Sequence, residues 1–239
     1  MTEYRPRLSY PEYKNYLTYQ NKAQESRILV VADLHHPFVK QHYLEFCVDV
    51  KERYNCNKVM FVGDIFDNHF SSFHETDPDG FGGEEEFLKG RADLRLWYEV
   101  FPEADVCLGN HDLIPDRKRF AAGLSKHWMR PIHEALHVPR WNFKPYFVYD
   151  GVKYLHGVGK KARNRAKSDL CSIVQGHYHS EGYVDYFCGD TYKIFAMQLG
   201  AGIDRKSYAM AYAKDMPKFH VNCGVVIGGK QAILEYMEL

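Results

Sequence analysis

The chain has 239 residues, 45% of them hydrophobic, and carries 31 acidic and 31 basic side chains. That balance excludes recruitment to nucleic acid or membrane by overall charge and leaves room only for a local basic patch. No apolar run is long enough to cross a bilayer, Met1-Thr2-Glu3-Tyr4-Arg5 does not read as a signal peptide, and the scattered cysteines, without a CxxC pair, fit a reduced, cytoplasmic setting.

Residues 1–26 are polar and Tyr-rich, with Pro6 and Pro11, and are expected to form an N-terminal arm along the domain edge. Ile28-Leu29-Val30-Val31 predicts a buried strand over 27–32 that runs into Asp33-Leu34-His35. Leu44, Phe46, Cys47, Val48 and Val50 predict a helix over 41–54, and Val59-Met60-Phe61-Val62 a second strand ending on Gly63-Asp64. Residues 68–83 are polar and without periodicity, and a loop of that length is usually functional or disordered. Glu84 to Val100 predicts a helix opened by acidic residues, with Phe87, Leu88, Leu94, Trp97 and Tyr98 marking its apolar face.

Val106-Cys107-Leu108 predicts a third strand over 105–108 that stops on Gly109-Asn110-His111-Asp112. Two short helices are expected at 116–126 and 131–137, the second with Pro131 in its first turn. Tyr146 to Leu155 predicts a hairpin about Asp150-Gly151, its second arm ending on His156-Gly157. The basic segment 160–170 is expected as helix or loop, before a strand at 172–175 that ends on Gly176-His177-Tyr178-His179. Beyond it, β-like stretches alternate with turn signals at Cys188-Gly189-Asp190 and Gly228-Gly229. No repeat or linker interrupts the chain, so 1–239 is expected to be one α/β domain. Its first half reads βαβαβ and its second mainly antiparallel strand, which two stacked sheets with outer helices would accommodate.

Five buried runs thus end on metal-type ligands, at the edge where open α/β sheets place their sites. Asp33 and His35 are one residue apart and project to the same side of an extended backbone, as do His177 and His179. Asp64 follows a glycine that allows close backbone approach, and Asn110 adds a neutral oxygen. Such donors suit borderline divalent ions such as manganese, iron or zinc, and the lack of cysteine among them speaks against a structural zinc site. Seven ligands overfill one ion and suit two bridged by a carboxylate. Two ions roughly 3.5–4 Å apart clamp the attacking and leaving oxygens of a phosphoryl displacement. A lone DxH or HxH is more often a surface pair; five strand-end motifs in one chain are hard to explain that way.

Asp33-x-His35, Gly63-Asp64, Gly109-Asn110-His111-Asp112, His156 and Gly176-His177-x-His179, in that order over 27–180, resemble the full signature of the calcineurin-like metallophosphoesterases. The resemblance implies a four-layer α/β/β/α sandwich that hydrolyses phosphate esters. It implies that Asp33, His35, Asp64 and His179 hold one divalent ion and Asp64, Asn110, His156 and His177 the other, with Asp64 bridging. Manganese is the first expectation, with iron, zinc, nickel or magnesium as alternatives. A hydroxide shared by the ions would attack phosphorus in line. His111 would protonate the leaving oxygen, with Asp112 holding the imidazole's other face. The stretches at 73–83 and 200–212 also resemble a branch found in tailed-phage genomes.

The family's protein phosphatases follow the bridging Asp with Asp-Arg-Gly, whose Arg grips phosphate; here Ile65-Phe66-Asp67-Asn68-His69 follows Asp64. The missing Arg turns the expectation from phosphoproteins towards phosphodiesters. Arg117-Lys118-Arg119 and the segment Lys160 to Lys167 follow ligand loops directly, as a track for a nucleotide or nucleic acid or, more plainly, as solvated helix faces. His36, His69 and His74 are further candidates to line the pocket. The alternatives are a phosphomonoesterase and a catalytically silent scaffold. Scaffolds of that kind usually lose ligands or the catalytic His, and this chain keeps them.

Overall fold

The computed structural model describes residues 25–73, 76–213 and 218–238, so the arm expected over 1–26 lies outside the described residues up to residue 24. β1 (Arg27–Val31), α1 (Tyr43–Arg53), β2 (Lys58–Phe61), α2 (Gly83–Val100) and β3 (Ala104–Cys107) make the first half. Next come α3 (Ile114–Ala121), α4 (Ile132–Ala135), β4 (Trp141–Lys144), β5 (Tyr146–Tyr149), β6 (Val152–Leu155) and α5 (Ala162–Asp169). β7 (Ser172–Gln175), β8 (Tyr183–Cys188), β9 (Lys193–Gln198), β10 (Asn222–Ile227) and β11 (Gln231–Tyr236) follow.

Two mixed sheets result, ordered β11-β10-β1-β2-β3-β4 and β5-β6-β7-β9-β8. β1 to β4 are parallel neighbours, with β10 antiparallel to β1. The expected hairpin is present as β5 and β6, and Asp150 and Gly151 both hold the positive φ that a type I′ turn requires. The second half is mainly antiparallel, as expected, through the pairs β5–β6, β8–β9, β10–β11 and β1–β10. Two pairs depart from it: β6 and β7 are parallel because α5 returns the chain from the end of β6 to the start of β7, and β7 and β9 are parallel because β8 carries the chain back between them. β4 was not anticipated; Pro145 ends it where the chain leaves one sheet for the other.

The strand patterns explain the layering. Leu29 and Val31 of β1 face α1 and α2, packing with Tyr43, Cys47, Leu94 and Trp97. Ile28 and Val30 face the other sheet, against Tyr154, Val174, Phe195 and Met197. A strand buried on both faces reads as an unbroken apolar run instead of an alternating one. Ala162 and Ala166 of α5 cover the far face of the second sheet over Ile173 and Ala196. The result is the four-layer α/β/β/α sandwich. Full burial of each of Ile28, Leu29, Val30 and Val31 is worth about 1.5–3 kcal/mol, so the loop beyond them starts from a rigid base.

The C-terminal ends of β1, β2 and β3 in one sheet, and of β6 and β7 in the other, meet along one edge. There the loops are tied across: the Leu34 and His35 N–H groups donate to the Asp64 carbonyl at 3.1 and 2.9 Å, and Asp33 bridges to Ala201. All six cysteines are free thiols. Among the described residues, no helix is long and apolar enough to cross a membrane.

Candidate metal centre

Asp33 leaves β1 fully buried, and its Oδ2 accepts the His177 N–H at 2.8 Å, so one carboxylate joins the loops of both sheets. The same oxygen lies 3.3 Å from His179 Nε2. His179 Nε2 in turn faces His35 Nε2 at 3.3 Å. Asp64 stands between the two halves of the cluster. Its Oδ1 accepts the His111 N–H at 2.8 Å, while its Oδ2 lies 3.1 Å from His156 Nε2 and 3.7 Å from His35 Nε2. Asn110 Oδ1 and His177 Nδ1 approach the same His156 nitrogen at 2.9 and 3.2 Å.

Close approach and strained backbone make this crowding feasible. A Cβ on Gly109 would collide with Asp64 Oδ1, and one on Gly176 with Asp33 Oδ1. His35, Asp64 and His177 all hold left-handed φ, at 53°, 49° and 72°. Such residues cost of order 1–3 kcal/mol each and persist where packing over-determines them, commonly at functional sites.

Three groups of three follow among the described residues, each with ligand atoms within 4.8 Å of one another: the two metal triads Asp33, His35, His179 and Asp64, His156, His177, and a third cluster of His35, Asp67 and His111. The donors suit cations. His156 Nδ1 donates to the Val62 carbonyl at 3.0 Å and His35 Nδ1 to Asp67 Oδ1 at 2.7 Å, which leaves both Nε2 lone pairs turned into the cluster. Lone pairs and carboxylate oxygens converge there, and Asp33 Oδ1 is buried without a hydrogen-bond partner among the described residues. A buried carboxylate oxygen of this kind is stabilised by a cation.

A family model for calcineurin-like phosphoesterases matches residues 26–204. The chain belongs to the calcineurin-like phosphoesterase family. Its intact triads are consistent with a dinuclear-metal phosphoesterase site. No curated protein sequence matches the chain significantly. Among solved structures, vacuolar protein sorting 29 from Cryptosporidium parvum is 13% identical, with a TM-score of 0.45 over 91% of this chain and 100% of its own. A metallophosphoesterase from Sphaerobacter thermophilus is 15% identical, with a TM-score of 0.45 over 90% and 89%. Pseudomonas putida nuclease MPE is 12% identical, with a TM-score of 0.43 over 84% of each chain. Likeness at this level says nothing about substrate.

Within this calcineurin-like site, Asp112 does not hold His111 as expected. Its Oδ1 accepts the Ile65 and Phe66 N–H groups at 3.0 and 3.1 Å and its Oδ2 that of Gly109 at 2.9 Å, so it fastens the loop after β2 to the loop after β3. Among the described residues no hydrogen bond links Asp112 to the His111 imidazole. Burial, then the Asp64 charge, pushes Asp112 up to about 6. His111 is held by Asp67, whose carbonyl accepts from His111 Nδ1 at 2.7 Å and whose Oδ1 lies 3.3 Å from it.

Asp67 is thus the residue the sequence reading missed, shared by His35 and His111. The available signal was a carboxylate three positions after Asp64 in the same loop. Burial opposes charge on His111, but Asp64 and Asp67 outweigh it and push the imidazole up to about 10. The same contest takes His156 up to about 9, and the resulting charge, with burial first, takes His177 down to about 4. A bound dication would reverse this protonation logic, because the ion takes the proton's place. Asp67→Ala is expected to weaken metal at the Asp33–His35–His179 triad roughly 10- to 100-fold, the range for losing an orienting partner of a ligating His. Metal titration of wild type and variant reads this, and an unchanged affinity would remove Asp67 from that role.

The other histidine candidates fall outside the cluster. His69 is buried in the loop before α2, where its Nε2 accepts the Asp77 N–H at 3.1 Å and its own N–H donates to Glu86 at 2.7 Å. His36 is buried with neither ring nitrogen partnered among the described residues, against Trp97. His74 lies outside the described residues. The cations of 160–167 are largely engaged: Arg163 pairs with Asp185 at 2.8 Å, Lys161 with Glu181, and Arg165 donates to Gln175 and the Val158 carbonyl. For that segment the fastening of α5 outweighs a polyanion track.

Proposed function

We propose that the chain is a phosphodiesterase that hydrolyses nucleotide or nucleic-acid linkages at a centre of two divalent ions, manganese first. The observation that carries this reading is the convergence of imidazole nitrogens and carboxylates from both sheets on the two sides of Asp64. Asp33, His35 and His179 would hold one ion, Asn110, His156 and His177 the other, and Asp64 both. The bound ions would supply Lewis acidity that activates water near neutral pH and offsets the charge building on phosphate. His111 gives a proton to the leaving oxygen from Nε2, because its Nδ1 proton is committed to the Asp67 carbonyl. Asp112 holds the His111 and Asp64 loops in register. The diester preference rests on the segment Ile65-Phe66-Asp67-Asn68-His69 after Asp64, which lacks the phosphate-gripping Arg of protein phosphatases.

Protein loaded with Mn²⁺ and desalted is expected to hold close to two ions per chain and to hydrolyse bis(nitrophenyl) phosphate faster than nitrophenyl phosphate. One ion or fewer at saturation counts against the dinuclear centre. A preference for the monoester moves the chain to the phosphomonoesterase alternative. Full occupancy without turnover of either ester moves it to the scaffold. One domain over 1–239, a cytoplasmic setting and the tailed-phage branch belong to the same proposal, supported by the unbroken pattern, the cysteine usage and the stretches at 73–83 and 200–212.

A further inference from the structure

The surface formed by residues 69–73, α3 and the turn at 126–130 carries chemistry that the metal centre does not use. Large apolar side chains stand in solvent there: Trp128 is 82% exposed, Phe120 77%, Phe70 59% and Phe73 52%. Single exposed apolar residues are ordinary, but a group of them marks a contact site. Cations are interleaved with them. Residues 113–130 contain Arg117, Lys118, Arg119, Lys126 and Arg130 against one carboxylate, Asp116, which Arg119 engages at 2.8 Å.

The Arg117 guanidinium and the Lys118 ammonium each lie 4.3 Å from the centroid of the Phe73 ring. These cations lie against an exposed aromatic ring, and Lys118 also donates to the Ser72 carbonyl at 3.5 Å. Between the platform and the ligand loops lies a cavity of about 490 Å³, with Leu113, Met129 and Ile132 as apolar walls and Asn68, Asp112 and Arg130 among its polar lining. Asn68 also donates to the His111 carbonyl at 3.0 Å, so this surface and the metal loops are continuous.

We propose that this surface binds single-stranded nucleic acid, with bases laid on Phe73 and Trp128, phosphates met by Arg117, Lys118 and Arg130, and one unstacked base entering the cavity beside Asp112. The proposal rests on the phosphodiesterase reading and names its substrate class. Exposed rings interleaved with cations suit a strand whose bases are free to stack, whereas a duplex hides its base faces. A second copy of the chain is a poor occupant, because a two-fold interface would set this cationic surface against itself. Anionic lipid would meet the same groups, but continuity with the ligand loops favours the molecule that carries the scissile ester.

The test uses the full chain stripped of metal, so that binding is read without cleavage. Fluorescein-labelled oligothymidylate is titrated by anisotropy at several salt concentrations. The proteins compared are wild type, Phe73→Ala, Trp128→Ala, the double variant Arg117→Ala with Lys118→Ala, and Tyr192→Ala, an exposed ring outside this surface. Each of the two ring losses is expected to weaken binding roughly 5- to 100-fold. The double cation loss is expected to lower the salt slope by roughly 1.4, and Tyr192→Ala to bind as wild type does. A duplex bound as tightly as the single strand, no loss in either ring variant, or an equal loss in Tyr192→Ala overturns the proposal. Competition by phosphatidylserine vesicles would overturn it in favour of lipid, and a dimer that Trp128→Ala dissociates would do so in favour of a second copy. Ester hydrolysis with Mn²⁺ but no strand binding would sink this proposal and leave the phosphodiesterase reading standing. Strand binding without metal-dependent hydrolysis of any ester would do the reverse.

Discussion

Asp64→Asn is expected to lose metal from both triads at once and to lower kcat/KM by more than the roughly 100-fold that loss of an outer hydrogen-bond partner brings. The geometry gives the reason. Asp64 Oδ1 is committed to the His111 N–H, and Oδ2 is the atom within 3.1 Å of His156 and 3.7 Å of His35. Asn has the same size, so the sandwich should fold, but it loses the charge and replaces one oxygen with an N–H₂ group. If that group faces the His111 amide, two donors oppose each other. If it faces the imidazoles, a donor occupies the place a cation needs. His35→Ala is the control, since His35 is absent from the Asp64–His156–His177 triad and its loss should lower occupancy by about one ion per chain, not two. Metal content per chain and kcat/KM are measured for wild type and both variants at one Mn²⁺ concentration. An Asn variant with normal metal and normal turnover would remove Asp64 from the bridging position.

The cluster of candidate metal donors was legible because a buried strand announces both its beginning and its end. Ile28 to Val31 can only be core, so Asp33 beyond it must either find partners or do chemistry. The same logic picked out Asp64, Asn110, His156 and His177, and the structure brings them together with His35 and His179. What stayed hidden depends on how loops fold over one another. Two of the three N–H donors to Asp112 lie across the gap between two strands, so sequence spacing suggested His111 beside it and the backbone of Ile65 and Phe66 claimed it instead. Asp67 was hidden for the matching reason, since its two imidazole partners come from the loops after β1 and β3. The parallel pairing of β6 with β7 was missed because α5 is short and strongly basic, with only Ala162 and Ala166 fully buried, and so shows no apolar stripe.

His111→Ala should keep its metals and lose activity according to the leaving group. His111 is buried, at 9% exposure, with Nδ1 fixed on Asp67, so its orientation is set before any ester arrives. None of the ligand atoms of the two metal triads belongs to it, although its backbone N–H steadies Asp64, a contact that alanine retains. Proton donation is worth roughly 10²–10⁴ in rate and matters most when the leaving oxygen is strongly basic. The loss should therefore approach that range on an alkyl diester such as a dinucleotide linkage. It should be much smaller on a nitrophenyl diester, whose phenolate departs without a proton. Metal content, and kcat/KM on both esters, are compared for wild type and variant under one Mn²⁺ concentration. Equal losses on the two esters would mean that His111 positions phosphate or the nucleophile instead of donating a proton. Loss of metal would place it among the ligands, where its contact with His35 and Asp67 at a third cluster would supply the explanation.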